Sequence, residues 1–218
     1  MEPIRFSTED GISIEGELRM PEDRARGSAV ICHAHPRHGG SKDHPILWAV
    51  RNELAHRGFA VLAFNFRGTM GSGGTYGGGR TEVKDVAGAI GRVRIAASGP
   101  TVMAGWSFGA NVGLREALED ERVSALALIA LPLASPKDVD VPELPTIAEL
   151  RLLRRPVLVL AGDADAYCPA DALERFATDL PNARVEILAG TDHYLWRREK
   201  EAARIVGEFA EALLDAPS

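Results

Sequence analysis

Hydrophobic residues recur along the chain in two ways, as short apolar runs and as longer segments with helical spacing. A short, nearly continuous run of Val, Ile, Leu and Ala is typical of a strand covered on both faces, as in a parallel sheet. Strands that alternate with helices predict an α/β fold with right-handed crossovers. The predicted strands are Ser28–His33, Phe59–Phe66, Thr101–Ala104, Val123–Leu131, Val157–Ala161 and Arg184–Leu188. The predicted helices are Ile46–Arg57, Glu82–Ala97, Phe108–Leu118, Ala170–Leu180 and Arg197–Leu214.

The first residues of the chain follow a different pattern. Ile4–Ser7 and Ile12–Arg19 flank a turn signal at Asp10-Gly11, which predicts an antiparallel pair of strands. No stretch of the sequence has the composition of a linker, so we expect one domain over residues 1–218.

Composition and charge argue against several kinds of partner. The chain is 45% hydrophobic and 26% charged, as globular proteins are. A net charge of −6 disfavours nucleic acid as a partner. No run approaches the ~20 apolar residues that span a bilayer, which disfavours a membrane partner. The charged N-terminus and the presence of only two cysteines, Cys32 and Cys168, favour the cytoplasm.

The pentapeptide Gly105-Trp106-Ser107-Phe108-Gly109 is the most informative motif. Its G-x-S-x-G pattern lies between a predicted strand and a predicted helix, which is the setting of a nucleophile elbow. Such a turn exposes the serine hydroxyl, and a side chain at either glycine would crowd the neighbouring strand and helix. The new helix also directs its free N–H groups toward developing negative charge. We therefore predict that Ser107 is a nucleophile.

A serine hydroxyl needs a base, and the base needs an acid that orients it. In elbows of this type, the acid and then the histidine follow the serine along the chain. His193 is the only histidine after Ser107, and it lies in a loop after the last predicted strand. The loop after Val157–Ala161 offers two acids. Asp165 fits a G-x-x-D spacing and is preferred to Asp163, which we expect to cap the turn.

Together these motifs resemble bacterial α/β-hydrolases of the lidless, dienelactone-hydrolase-like serine-esterase group. The matching segments are His33-Ala34-His35-Pro36-Arg37-His38-Gly39-Gly40, Asn65-Phe66-Arg67-Gly68, the elbow at Ser107, the Gly162–Asp165 loop and His193. The chain departs from the pattern at Ala34, where proline is usual, and in the glycine-rich loop after Arg67. The resemblance implies an α/β-hydrolase fold with a mostly parallel sheet, helices on both faces and no substantial lid.

The resemblance also implies an oxyanion site. Its first donor would be the backbone N–H of Phe108, directly after the nucleophile. The loop after Ser28–His33 would supply the second donor. His35 is favoured for this role and Arg37 is the alternative, because Pro36 has no N–H.

A lid in this fold is usually inserted before the acid strand, which here leaves only Pro132–Arg155. The first half of that segment contains four prolines, so only Thr146–Arg155 is expected to form a short helix. We therefore expect an open site with Trp106, Tyr76 and Tyr167 as walls. We expect a serine hydrolase that needs no cofactor and cleaves small, short-chain carboxylic esters.

Four other interpretations stay open. Gly74–Thr81 nearly matches a phosphate-binding loop, although Arg80 replaces its lysine. Four histidines raise the alternative of a metal site: His33, His35, His38 and His44. A peptidase or thioesterase would use the same triad, and a non-catalytic binding protein would share the scaffold.

Overall fold

An eight-stranded sheet forms the centre of the protein in the computed structural model, which describes residues 1–134 and 139–215. The strands are β1 (Glu2–Ser7), β2 (Ser13–Arg19), β3 (Gly27–Cys32), β4 (Phe59–Phe64), β5 (Thr101–Trp106), β6 (Ala125–Ile129), β7 (Val157–Gly162) and β8 (Ala183–Leu188). Their spatial order is β1-β2-β4-β3-β5-β6-β7-β8. Only the pairs β1–β2 and β2–β4 of this described sheet are antiparallel. The predicted sheet is confirmed.

The burial of the strands explains their sequence patterns. Every residue of β3, β4, β5, β6 and β7 is buried, since helices cover both faces of the sheet there. Along β2, by contrast, buried Ile14 and Leu18 alternate with more exposed residues. Such alternation is usual in an antiparallel strand with one solvated face.

Six α-helices in the described part of the chain cover the sheet. They are α1 (Pro45–His56), α2 (Val83–Val93), α3 (Phe108–Glu119), α4 (Ile147–Leu152), α5 (Ala170–Ala177) and α6 (Glu199–Glu211). The helices α1 and α6 pack against each other on one face, and α2, α3 and α5 lie on the other. The arrangement confirms the predicted α/β-hydrolase fold.

Several predicted elements are shorter in the structure, and two of them have a clear local cause. The helix predicted from Glu82 begins at Val83, because Glu82 is its N-cap and its side chain binds the preceding loop. The strand predicted to reach Leu131 ends at Ile129, because Ala130 adopts a φ of 49°. A positive φ breaks the extended backbone that strand pairing requires.

The segment between β6 and β7 is where a lid would be inserted. Its described residues contain one short helix, α4, which begins with a capping box between Thr146 and Glu149. Residues 135–138 of this segment lie outside the described residues. So do residues 216–218, and the single domain expected over residues 1–218 stays a prediction. None of the described helices is both long and apolar enough to cross a membrane.

Candidate active site

Ser107 occupies the sharp turn between β5 and α3. Its backbone has a φ of 54° and a ψ of −119°, a strained conformation of the kind that clusters at active sites. A Cβ atom at Gly105 would lie 2.4 Å from the carbonyl oxygen of Gly109. One at Gly109 would lie 2.4 Å from the carbonyl oxygen of Cys32 in β3. The predicted crowding at both glycines is confirmed.

Hydrogen bonds join Ser107, His193 and Asp165 in a continuous chain. Oγ of Ser107 lies 2.9 Å from Nε2 of His193. Nδ1 of the same ring lies 2.9 Å and 3.0 Å from the two carboxylate oxygens of Asp165. Because an ionised carboxylate only accepts hydrogen bonds, Nδ1 carries the proton and Nε2 is free to accept one from the serine. The fold thus brings together the three residues that the sequence singled out.

The loop after β7 gives its two aspartates different surroundings. Asp165 is 3% exposed, and its Oδ1 accepts hydrogen bonds from the amides of Tyr167 at 2.9 Å and Cys168 at 3.0 Å. Asp163 is exposed, and its Oδ1 accepts a hydrogen bond of 2.8 Å from the amide of Gly190. The geometry pairs Asp165 with the histidine ring and leaves Asp163 to tie down the loop after β8.

The prediction that Trp106 forms a wall of the substrate site is wrong. Trp106 is only 2% exposed, because it packs in the core between the sheet and the helices α1 and α6. Its indole Nε1 donates a hydrogen bond of 3.0 Å to the backbone carbonyl oxygen of His193. Trp106 therefore holds the loop that carries the histidine.

The backbone amides of Phe108 and His35 have no protein acceptor among the described residues. Phe108 begins α3, where unpaired N–H groups and the positive end of the helix dipole meet. The alternative donor, the amide of Arg37, already donates to Nδ1 of His35 at 3.1 Å. The geometry agrees with Phe108 and His35 as oxyanion donors, and that role stays a prediction.

The side chain of His35 fixes the loop that carries its amide. Since Nδ1 accepts a hydrogen bond, Nε2 bears the proton and donates to the carbonyl oxygen of Asp140 at 2.7 Å. The hydroxyl of Tyr76 donates to the same carbonyl at 2.9 Å. The ring centroid of Tyr76 lies 5.2 Å from that of His35 and 5.9 Å from that of Phe108. Burial, with Asp140 nearby, raises the pKa of Tyr76 and keeps its phenol protonated.

Tyr76 and Tyr167, the other predicted walls, are both partly exposed. The ring centroid of Tyr167 lies 4.7 Å from that of His193, so a molecule bound at Ser107 is within its reach. Contact between substrate and either tyrosine stays a prediction. A cavity of about 1050 Å³ lies between Tyr76, the glycine-rich loop and α3. None of Ser107, His193 and Asp165 lines it, and Ser107 is partly exposed.

The N-terminal histidines engage separate partners. His33 is fully buried, with Nδ1 donating to the carbonyl oxygen of Ala34 at 2.6 Å and Nε2 accepting from the amide of Phe66 at 3.0 Å. Both ring nitrogens of His35 are also engaged. Within residues 1–134 and 139–215, no three potential metal ligands lie together. These contacts argue against the metal-site interpretation.

Burial lowers the pKa of His33 to about 4 from an ordinary value of 6.5, so the unfolded chain binds a proton more readily. Stability from the neutral ring is therefore complete above pH 6.5 and is lost as the pH falls toward 4. We expect the lowered pKa of His33 to reduce the free energy of unfolding by about 2 kcal/mol when the pH falls from 7.5 to 5. Urea unfolding of the parent and of His33→Gln at both pH values measures this reduction. An equal reduction of the free energy of unfolding in both proteins would contradict the role of His33.

The glycine-rich loop already holds a carboxylate. Glu82 is fully buried and accepts hydrogen bonds from the amides of Gly77 at 2.7 Å and Gly79 at 2.8 Å. Backbone amides of this kind bind the phosphates in phosphate-binding loops. Because Glu82 occupies them, the contacts argue against the nucleotide-binding interpretation.

Arg67 has a structural role that sequence reasoning missed. Its guanidinium is buried and donates to Asp85 at 2.7 Å and 2.9 Å and to Asp10 at 2.8 Å. The hydrogen bonds from Arg67 hold the pKa of Asp10 well below its usual range. The ion pairs tie the end of β4 to α2 and to the turn between β1 and β2. The sequence shows only that Asp10 and Asp85 are acidic, because their contact with Arg67 depends on the fold.

The sheet order, the serine turn after β5 and the histidine loop after β8 define the protein as an α/β-hydrolase. The chain belongs to the alpha/beta hydrolase domain family, which matches residues 27–215. This match and the structural matches that follow confirm the resemblance to lidless members of the class.

Three relatives illustrate the match. An uncharacterized protein of Rickettsia prowazekii is 24% identical over 96% of this chain and 88% of its own. The α/β serine hydrolase without lid XC6422 of Xanthomonas campestris is 24% identical, with a TM-score of 0.81 over 99% of this chain and 96% of that one. The esterase Pf2001 of Pyrococcus furiosus is 19% identical, with a TM-score of 0.79 over 98% of this chain and 92% of that one. At these identities the structural likeness shows the fold alone.

Proposed function

We propose that the protein is a serine hydrolase that cleaves small, short-chain carboxylic esters through an acyl-enzyme intermediate. The observation that carries the proposal is the hydrogen-bonded chain from Ser107 through His193 to Asp165, with the serine in a strained turn. Activation of a serine by an oriented histidine is the general requirement for acyl transfer of this kind.

The first half of the reaction forms the acyl-enzyme. Ser107 Oγ attacks the ester carbonyl carbon while Nε2 of His193 takes its proton. The carbonyl oxygen becomes an oxyanion that accepts hydrogen bonds from the amides of Phe108 and His35. The C–O bond to the alcohol then breaks, and His193 gives its proton to the departing oxygen. Asp165 stabilises the imidazolium between these two transfers.

Water completes the reaction by the same route. His193 takes a proton from a water molecule, whose oxygen attacks the acyl carbon. The bond to Ser107 Oγ breaks, the serine recovers its proton from His193, and the carboxylic acid leaves. Solvent reaches the site because Ser107 is partly exposed.

Two observations support a short-chain ester as the substrate. Between β6 and β7 the described residues supply only the short helix α4, which is too small to enclose a long acyl chain. An acyl chain that stays in water gains no binding free energy from burial. Pf2001, which has the same fold, is an esterase, and this supports an ester rather than a thioester or an amide as the substrate.

The hydrolysis of p-nitrophenyl esters from acetate to palmitate tests this substrate class. We expect the highest kcat/KM for acetate to butyrate, because longer chains find no apolar surface to cover them. An optimum at laurate or palmitate would contradict the open site. Acyl-CoA thioesters and aminoacyl anilides belong in the same screen, because a thioesterase or a peptidase would use the same three side chains.

A further inference from the structure

Three aromatic side chains form a partly exposed surface beside His193. We call Tyr194, Trp196 and His44 the aromatic platform. Tyr194 is 45% and Trp196 is 51% exposed, and His44 is partly buried. Exposed apolar side chains that lie together in one patch are often part of a binding site.

The platform is a stacked assembly. The ring centroid of His44 lies 4.0 Å from that of buried Trp106 and 5.8 Å from that of Trp196. Tyr194 and Trp196 are stacked, with centroids 6.0 Å apart and 21° between their planes. Offset ring pairs at such separations are favourable, so the rings support one another. Burial lowers the pKa of His44, which leaves the platform uncharged at neutral pH.

The backbone of this segment is strained in a way that presents the two outer rings. Leu195 has a φ of 54° and Arg197 a φ of 65°, although neither is glycine. Leu195 is fully buried in the core, so it anchors the segment while its neighbours Tyr194 and Trp196 face outward. Such conformations cost about 1–3 kcal/mol each and persist where the surrounding structure imposes them, often at functional sites.

The position of the platform relates it to one part of the substrate. The ring centroid of Tyr194 lies 5.9 Å from that of His193. His193 must hand its proton to the departing alcohol oxygen, so the alcohol leaves on the side of this ring. The side chains of Phe108 and His35, whose amides are the proposed oxyanion donors, lie near Tyr76 instead. The platform therefore adjoins the leaving-group side of Ser107.

We infer that the aromatic platform binds an aromatic ring in the alcohol part of the ester, an inference that rests on the proposed function. The preferred substrates are then esters of small acids with arylmethyl alcohols. Cleavage breaks the acyl C–O bond, and the alcohol leaves with the proton from Nε2 of His193. The released alcohol keeps its ring against Tyr194 and Trp196 until it diffuses away.

Hydrolysis of benzyl acetate and ethyl acetate, followed as acid release, tests the inference. We expect kcat/KM to be higher for the benzyl ester, and the ratio of the two values to fall about two- to tenfold in Trp196→Ala and Tyr194→Ala. Tyr194→Phe keeps the ring and should keep the ratio. Trp48→Ala is the matched control, since Trp48 is 52% exposed on α1 but has no aromatic ring stacked on it among the described residues. An unchanged ratio in both alanine variants overturns the inference.

A binding measurement separates this inference from the proposed function. Saturation-transfer NMR of benzyl alcohol with Ser107→Ala needs no turnover. We expect a signal that Trp196→Ala, added to this variant, removes and that Trp48→Ala keeps. Absence of the signal, or its persistence without Trp196, overturns the platform even if acetate esters are hydrolysed. Light scattering that shows a dimer lost in Trp196→Ala also overturns it, because the rings would then bind a second copy of the chain.

Discussion

Replacement of Ser107 by alanine is expected to lower the rate of ester hydrolysis by about 10⁴- to 10⁶-fold, because it removes the nucleophile. In the described structure, the hydroxyl makes one side-chain hydrogen bond, to Nε2 of His193. Because Ser107 is partly exposed, the removal of its hydroxyl leaves no cavity in the core. The measurement is the initial rate on p-nitrophenyl acetate, with the thermal unfolding temperature as the check on the fold.

Ser7→Ala is the matched control for this change. Ser7 is exposed at the end of β1, far along the sheet order from β5. We expect the control to keep the parent rate. If Ser107→Ala retained a rate within tenfold of the parent, hydrolysis would have to proceed without this serine.

Replacement of Asp165 by asparagine is expected to lower kcat by about 10⁴-fold. The carboxylate holds the proton of His193 on Nδ1 and stabilises the imidazolium. An amide can turn its NH₂ group toward the ring, which favours the tautomer whose proton points at Ser107. The ring then cannot accept the serine proton.

Asp163→Asn is the matched control for Asp165→Asn, since it makes the same chemical change two residues earlier. The asparagine carbonyl can still accept the hydrogen bond that Gly190 donates. We expect kcat to stay within a few-fold of the parent. The reverse order of the two effects would assign the acid to Asp163.

Much of the fold was predictable because the strands have distinct patterns. The runs that became β3 to β7 are nearly continuous in apolar residues, and the structure buries every residue in them. The two glycines of the elbow were informative for a steric reason, since backbone atoms approach within 2.4 Å of where a Cβ would be. A local steric requirement of this kind can be recognised in a single sequence.

The residues that the sequence could not assign depend on contacts between distant segments. Trp106 stands beside the nucleophile in the sequence, yet strand alternation turns it into the core beneath the histidine loop. Glu82 satisfies the glycine-rich loop only because α2 begins at that point. Tyr194 and Trp196 lie close to His44, although His44 is far from both of them in the sequence. Pairings like these follow from the topology, which a pattern of residue types does not specify.

Covalent trapping tests most directly whether Ser107 is an activated nucleophile. The protein is treated with a fluorophosphonate, which loses fluoride to an activated serine oxygen, and the site is located by mass spectrometry of peptides. We expect phosphonylation at Ser107, none in Ser107→Ala, and loss of esterase activity in proportion to labelling. An unlabelled Ser107 in a protein that still hydrolyses p-nitrophenyl acetate would contradict the account.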